Sequence, residues 1–130
     1  MSGKTAQELM ACWQRGNVMA ADCPSRLILQ HLTSRWGTLV IVALSTRPHR
    51  FAELRRAVGG VSERMLSQTL KDLEADGFIL RTAHHVVPPH VDYELTALGR
   101  QAAGHVVALV GWIEGALPEI LAGQSRVAAE

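Results

Sequence analysis

VSERMLSQTLKDLEADG, residues 61–77, separates onto two faces when wound as a helix. Leu66, Leu70 and Leu73, with Met65 beside them, fall at the i, i+4, i+7 spacing of one buried stripe. Arg64, Ser67, Gln68 and Lys71 are left on the opposite face, a row of hydrogen-bond donors with two cations in it. Side chains of this kind can reach base edges in the major groove of DNA. A solvated face on an ordinary core helix has the same pattern, so the flanking sequence must decide between the two. Ser62 is placed to cap the helix with Glu63 in its first turn, and Gly77 is the expected stop after Asp76. The helix should run about 14 residues.

On the N-terminal side, Pro48 breaks the chain, and Phe51, Leu54 and Val58 predict a short helix with Arg55 and Arg56 turned away from its apolar side. Gly59-Gly60 supplies a tight turn into the helix of residues 61–77. Two helices so joined, the second carrying the polar face, make a helix-turn-helix. On the C-terminal side the period changes. Phe78, Leu80 and Thr82 alternate with Ile79 and Arg81; after Pro88-Pro89, Val91, Tyr93 and Leu95 alternate with Asp92 and Glu94. The pattern predicts a two-stranded hairpin directly after the recognition helix, which makes the fold mainly α with a small β-hairpin, a winged helix-turn-helix.

Further out, Trp36 to Leu44 (WGTLVIVAL) is apolar on nearly all sides and reads as the central buried helix. Val40, Ile41 and Val42 keep a strand reading open there. Cys23-Pro24 opens an earlier helix, since proline is preorganised for the first helical position and Leu27, Ile28 and Leu32 repeat at helical spacing. Gly37 sits where that helix should bend or end. A first helix from about Thr5 to Met19 would place Leu9, Cys12 and Trp13 on one face. Thr96 can cap a last helix through Val106, Leu109, Val110 and Ile113 to about Leu121, with Pro118 a point of interruption.

The 130 residues suit one domain, and 48% hydrophobic content with 5% aromatic implies helix-rich aliphatic packing. The net charge is only +1, but it is unevenly placed. Between Arg47 and Lys71, six cations (Arg47, Arg50, Arg55, Arg56, Arg64, Lys71) face two acids (Glu53, Glu63), a local +4 that leaves −3 for the remainder. A basic footprint on an acidic body suits phosphate contact, because affinity comes from counterions released at the contacted face. The N-terminal MSGKTAQE lacks the apolar run of a secretory leader, and stretches such as Leu39 to Leu44 fall far short of the roughly 18 residues that span a bilayer. The expectation is a cytoplasmic protein with no membrane segment. Cys12 and Cys23 are too few for a disulfide scaffold and should rest as thiols.

Residues Cys23 to Arg100 carry a resemblance. CPSRLILQHLTSRWGTLVIVALSTRPHRFAELRRAVGGVSERMLSQTLKDLEADGFILRT followed by VPPHVDYELTALGR resembles the HxlR-type bacterial transcription regulators, with the last helix matching more loosely. The Cys-Pro opening, the Trp36 helix, RFAELRR, SERMLSQTLKDLEADG and PPHVDYELT are the specific parts. The resemblance implies a homodimeric winged helix of the MarR-like kind that binds operator DNA, usually in response to a small molecule or oxidant. The chain departs from the pattern in the residues before Cys23 and at His84-His85. The organisation expected is an N-terminal extension (1–22) contributing to a dimer interface, a DNA-binding winged helix (23–100), and a dimerisation helix and tail (101–130).

Within that frame Arg64, Ser67 and Gln68 are expected to approach base edges. Arg55, Arg56 and Lys71 should hold phosphate, Ser62 lies at the start of the same helix, and Arg81 and His90 are wing contacts to backbone or minor groove. Leu9, Trp13, Val106, Leu109, Val110, Trp112 and Ile113 exceed the apolar surface a single winged helix obviously needs. They are expected to form a two-fold dimer interface, the alternative being that they complete the monomer core. Cys23, before Pro24, lies at a helix N-terminus where dipole and N–H groups favour thiolate. In the resembled family a cysteine at this position can act as a sensor, pairing across subunits or with Cys12; the alternative is an unreactive packed thiol. His84, His85 and His90 raise a metal-site reading, but no Cys or carboxylate set is seen to complete one, and solvated or phosphate-contacting histidines are preferred. No P-loop, dinucleotide-binding glycine pattern or nucleophile elbow is present, so neither enzyme nor cofactor is expected. A winged helix that binds only another protein is the remaining alternative, since fold does not fix function.

Overall fold

The structure, a computed structural model, describes residues 5–7 and 18–130. The expected first helix, with Leu9, Cys12 and Trp13, therefore lies outside the described residues apart from its edges. The elements are α1 (Pro24–Thr33), α2 (Arg35–Leu44), β1 (His49–Arg50), α3 (Phe51–Ala57), α4 (Glu63–Ala75), β2 (Ile79–His84), β3 (His90–Leu95) and α5 (Ala97–Ala129).

Helix α1 begins with Pro24 at its first turn, Cys23 being the capping residue. It ends at Ser34, whose extended backbone (φ −67°, ψ 155°) turns the chain through 70° and whose Oγ accepts the Gly37 N–H at 3.1 Å to cap α2. The break thus falls three residues before Gly37, which is not the bend but the point of contact across it. A Cβ at Gly37 would lie 1.9 Å from the His31 carbonyl oxygen. Only glycine lets α2 start this close to the end of α1.

Helix α2 is the central element, as its apolar run predicts: Val40 and Ile41 are fully buried and Leu44 nearly so. Leu54 and Val58 of the α3 region and Leu66, Leu70 and Leu73 of α4 pack around it, with Phe78, Ile79, Leu95, Ala103 and Val106 completing one core. Each such aliphatic side chain contributes about 1.5–3 kcal/mol by leaving water. Across α4 the buried face is Leu66, Thr69, Leu70 and Leu73, the full i, i+3, i+4, i+7 set. Met65, expected beside that stripe, lies one step round the helix and is 44% exposed. Ser62 Oγ accepts the Met65 N–H at 3.1 Å, so the N-cap forms as expected. At the other end Gly77 takes φ +85°, with Phe78 N–H bonded to Leu73 O and Gly77 N–H to Glu74 O, each at 3.0 Å. This paired closure needs the left-handed conformation that glycine adopts without strain.

The wing is a three-stranded antiparallel sheet in the order β1-β3-β2, not a lone hairpin. The two-residue β1 was not anticipated from sequence, being too short to show a period; His49 pairs with Tyr93 and Arg50 with Asp92. The β2–β3 register runs from Ile79↔Leu95 through Arg81↔Tyr93 to His84↔His90. The expected apolar phase of β2 is corrected. Ile79, opposite Leu95, is buried, whereas Leu80 is 49% exposed. Phe78 is buried from the helix–strand junction before the alternation begins, so counting from it reversed the faces.

Thr96 caps α5 as expected, its Oγ1 accepting the Gly99 N–H at 3.0 Å and donating to Gly77 O at 2.6 Å. The helix then continues to Ala129 with Pro118 inside it. Pro118 removes one intrahelical bond, but Ala116, Leu117, Glu119, Leu121 and Ala122 around it are mostly strong helix formers and carry the helix through. One expectation fails on this helix: Val106, expected in the dimer interface, is a buried member of the monomer core. By length and composition α5 is also apolar enough to cross a membrane, although no single uninterrupted apolar run in the sequence shows it.

Candidate nucleic-acid interface

The capped start of α4 follows directly on the α3 turn, and Gly60 there has φ +88°. This arrangement presents the polar face of α4 with the cations of α3 beside it. Arg64, Gln68 and Lys71 are exposed and Ser67 is half-buried. Gln68 Nε2 donates to Asp72 Oδ1 at 3.0 Å, one turn along the same face. Arg55 Nη1 donates to Glu63 Oε1 at 3.0 Å, an exposed pair that a phosphate can replace at small cost. Arg56, Arg64, Lys71 and Arg81 make no ion pair among the described residues. Ser62 Oγ accepts the cap N–H, and its hydroxyl hydrogen can still be donated.

The wing residues separate. By strand alternation, Ile79, Arg81 and Tyr93 share one face of the sheet and His84, His90 and Asp92 the other. Arg81 therefore stands not at the wing tip but against α4, in a groove of about 450 Å³ lined by Ser67, Leu70, Lys71, Glu74, Arg81 and Tyr93. Its guanidinium extends the α4 cations. His90 is on the far face, stacked on His84 with ring centroids 4.6 Å apart. His84 Nε2 lies 2.9 Å and His90 Nε2 3.9 Å from Asp92 Oδ2. The wing histidines thus do have the carboxylate partner that the sequence reading did not find. His-Val-Asp at 90–92 was the missed signal, since residues two apart in a strand share a face. His85 is exposed and apart from this cluster.

The support behind the interface is ionic as well as apolar. His31 Nδ1–H donates to Asp76 Oδ2 at 2.6 Å, tying α1 to the end of α4. At the start of α3, the Arg50 N–H donated to Glu53 holds that carboxyl below its ordinary value of 4.5, against opposing desolvation and with help from Arg47 and His49. Cys23, at the head of α1, has its Sγ 2.9 Å from Ser25 Oγ. Cys12 lies outside the described residues.

The HxlR-like helix-turn-helix family model matches residues 31–120. The chain is 56% identical over 116 residues to the HTH-type transcriptional regulator YtfH of Escherichia coli (strain K12), covering 89% of this chain and 92% of that protein. Among solved structures it is similar to the transcriptional regulator YtfH of Salmonella typhimurium, with a TM-score of 0.81, 55% identity and coverage of 85% of this chain and 98% of that one. It is also similar to the redox regulator HypR in its oxidized form, with a TM-score of 0.66 at 34% identity and coverage of 72% and 96%. A cationic recognition helix on a winged-helix frame and these likenesses lead to one conclusion: the chain belongs to the HxlR-like helix-turn-helix family, whose members are DNA-binding transcriptional regulators and not enzymes.

Proposed function

We propose that this regulator acts in the cytoplasm as a homodimer on an inverted-repeat operator. In each protomer α4 enters the major groove, with Arg64, Ser67 and Gln68 toward base edges. Arg55, Arg56, Lys71 and Arg81 hold phosphate, Ser62 donates from the helix start, and His90 supports the wing. The exposed donor face of α4, beside Arg56, Lys71 and Arg81, which make no ion pair among the described residues, supports this reading. Two-fold symmetry asks for half-sites about one helical turn apart, or a multiple of it. Binding-site selection followed by a shift assay with salt titration tests it: an inverted repeat and a steep salt slope are expected. No binding to the selected or the upstream DNA would instead favour a winged helix that recognises protein alone.

The second copy is proposed to cover the apolar faces left open. Leu109, Trp112 and Ile113 on α5 and Leu27 and Ile28 on α1 are exposed, and the extension before Cys23, with Leu9 and Trp13, is proposed to join them. Sedimentation is expected to give a dimer. A monomer that partitions into vesicles would replace this reading with a membrane role for α5.

Cys23 is proposed as an oxidant-sensing thiol, supported by its place at the head of α1 and by the similarity to a protein named a redox regulator. Diamide treatment is expected to change operator binding reversibly in the wild type and not in Cys23→Ser. If the oxidised wild type binds as the variant does, the response belongs elsewhere, to a small-molecule effector.

A further inference from the structure

His84, His90 and Asp92 form, among the described residues, the one cluster whose potential ligand atoms all lie within 4.8 Å of one another. Backbone geometry creates it. His84 and His90 are direct cross-strand partners at the end of the β2–β3 ladder, and Asp92, two residues along β3, shares their face. The side chains retain 39%, 23% and 36% exposure, so an ion can reach them without opening the core.

We propose that this cluster is a binding site for a divalent transition-metal ion of the zinc class, clamping the outer ends of β2 and β3. Ligand bonds of about 2.0–2.2 Å in tetrahedral array put ligand atoms roughly 3.3 Å apart. The 2.9 and 3.9 Å separations of the two Nε2 atoms from Asp92 Oδ2 bracket that value. Two imidazoles and one carboxylate suit zinc, nickel or copper rather than calcium or magnesium, which prefer oxygen. The surrounding groups are arranged to hold the ligands. His90 Nδ1 faces Pro88 O at 3.4 Å, a long contact that turns its Nε2 toward Asp92. Arg50 Nε lies 4.0 Å from Asp92 Oδ1, the carboxylate oxygen not used by the histidines. Such outer partners fix ligand orientation. Three protein ligands leave the remaining coordination position to water, and no reaction is implied.

Zinc titration of the tag-free, full-length protein in metal-free buffer tests the site, read by calorimetry and by thermal unfolding. One zinc per chain is expected, with a Tm that rises with zinc concentration because the ion binds only the folded wing. Asp92→Asn, His84→Ala and His90→Ala should each weaken zinc binding by more than about ten-fold and abolish the Tm shift. His85→Ala and Cys23→Ser should leave both unchanged. Asp92→Asn keeps the side-chain shape, so a loss of binding with an unaltered circular dichroism spectrum is not a folding defect. Zinc binding that survives all three ligand changes, depends on Cys23, or is not seen at micromolar ion would overturn the proposal and leave a His–Asp ion pair.

Discussion

Arg64 and Gln68 differ from Arg56 in what they can read. The first two project from α4 with donors that can pair with base edges, whereas Arg56 stands on α3 without a partner among the described residues. Arg64→Ala or Gln68→Ala is expected to relax sequence preference by about 1–3 kcal/mol at particular base pairs, while Arg56→Ala weakens all sequences alike and lowers the salt slope by about one. Quantitative shift assays on operator variants check this; equal losses on every sequence from all three changes would refute the division of roles. Gly37 offers a residue-scale test of the fold. Its missing Cβ would fall on the His31 carbonyl, a backbone atom that cannot move aside cheaply. Gly37→Ala should destabilise by about 1–3 kcal/mol, read as a lower urea midpoint. An unchanged midpoint would mean that the α1–α2 elbow relaxes freely.

At the scale of elements, α3 is the weakest link in the interface, since seven residues form barely two turns. Glu53 helps to hold its start by accepting the Arg50 N–H at 2.9 Å, which depresses its pKa. A carboxyl lowered on folding stabilises the native state above its ordinary value, here 4.5, and loses that contribution as pH falls through the depressed value. Glu53→Gln should therefore unfold more easily than the wild type near neutral pH, with the difference shrinking below about pH 4.5. Urea midpoints across the acid range measure it, and a constant difference would rule out the ionised carboxylate as the cause. Helix α4 was legible almost to its ends, because cap, stripe and glycine stop are all local signals. The two-residue β1 was not, because its strand geometry is imposed by pairing with Tyr93 and Asp92.

For the whole molecule the unresolved demand is apolar surface. Leu109, Ile113, Leu117 and Leu121 recur every four residues on α5, and all are at least 38% exposed, with Trp112 beside them at 65%. Such a stripe is stable in water only when covered. Leu109→Glu with Ile113→Glu is expected to give a folded monomer by sedimentation, with operator affinity reduced by about a hundred-fold as two-site binding is lost. A double variant that stays dimeric would exclude this face from the interface. The sequence marks Leu109, Trp112 and Ile113 as apolar surplus, and all three are exposed. It could not remove Val106 from that set, because both kinds of residue occupy the same helical stripe and only the packing of α5 on α2 separates them.

Sequence alone determined the order of the helices from Pro24 onward, the winged helix-turn-helix and the donor face of α4. Each is written in hydrophobic period, capping residues and charge placed within a few turns, and these act locally. Tertiary structure decided what depends on residues distant in the chain or on phase. It buried Ile79 in place of Leu80, swung Arg81 against α4, set Gly37 on the His31 carbonyl and brought His84, His90 and Asp92 together. Strand pairing and helix contact fix distances between side chains that no single segment encodes, and a shift of one residue in register reverses every side chain of a strand.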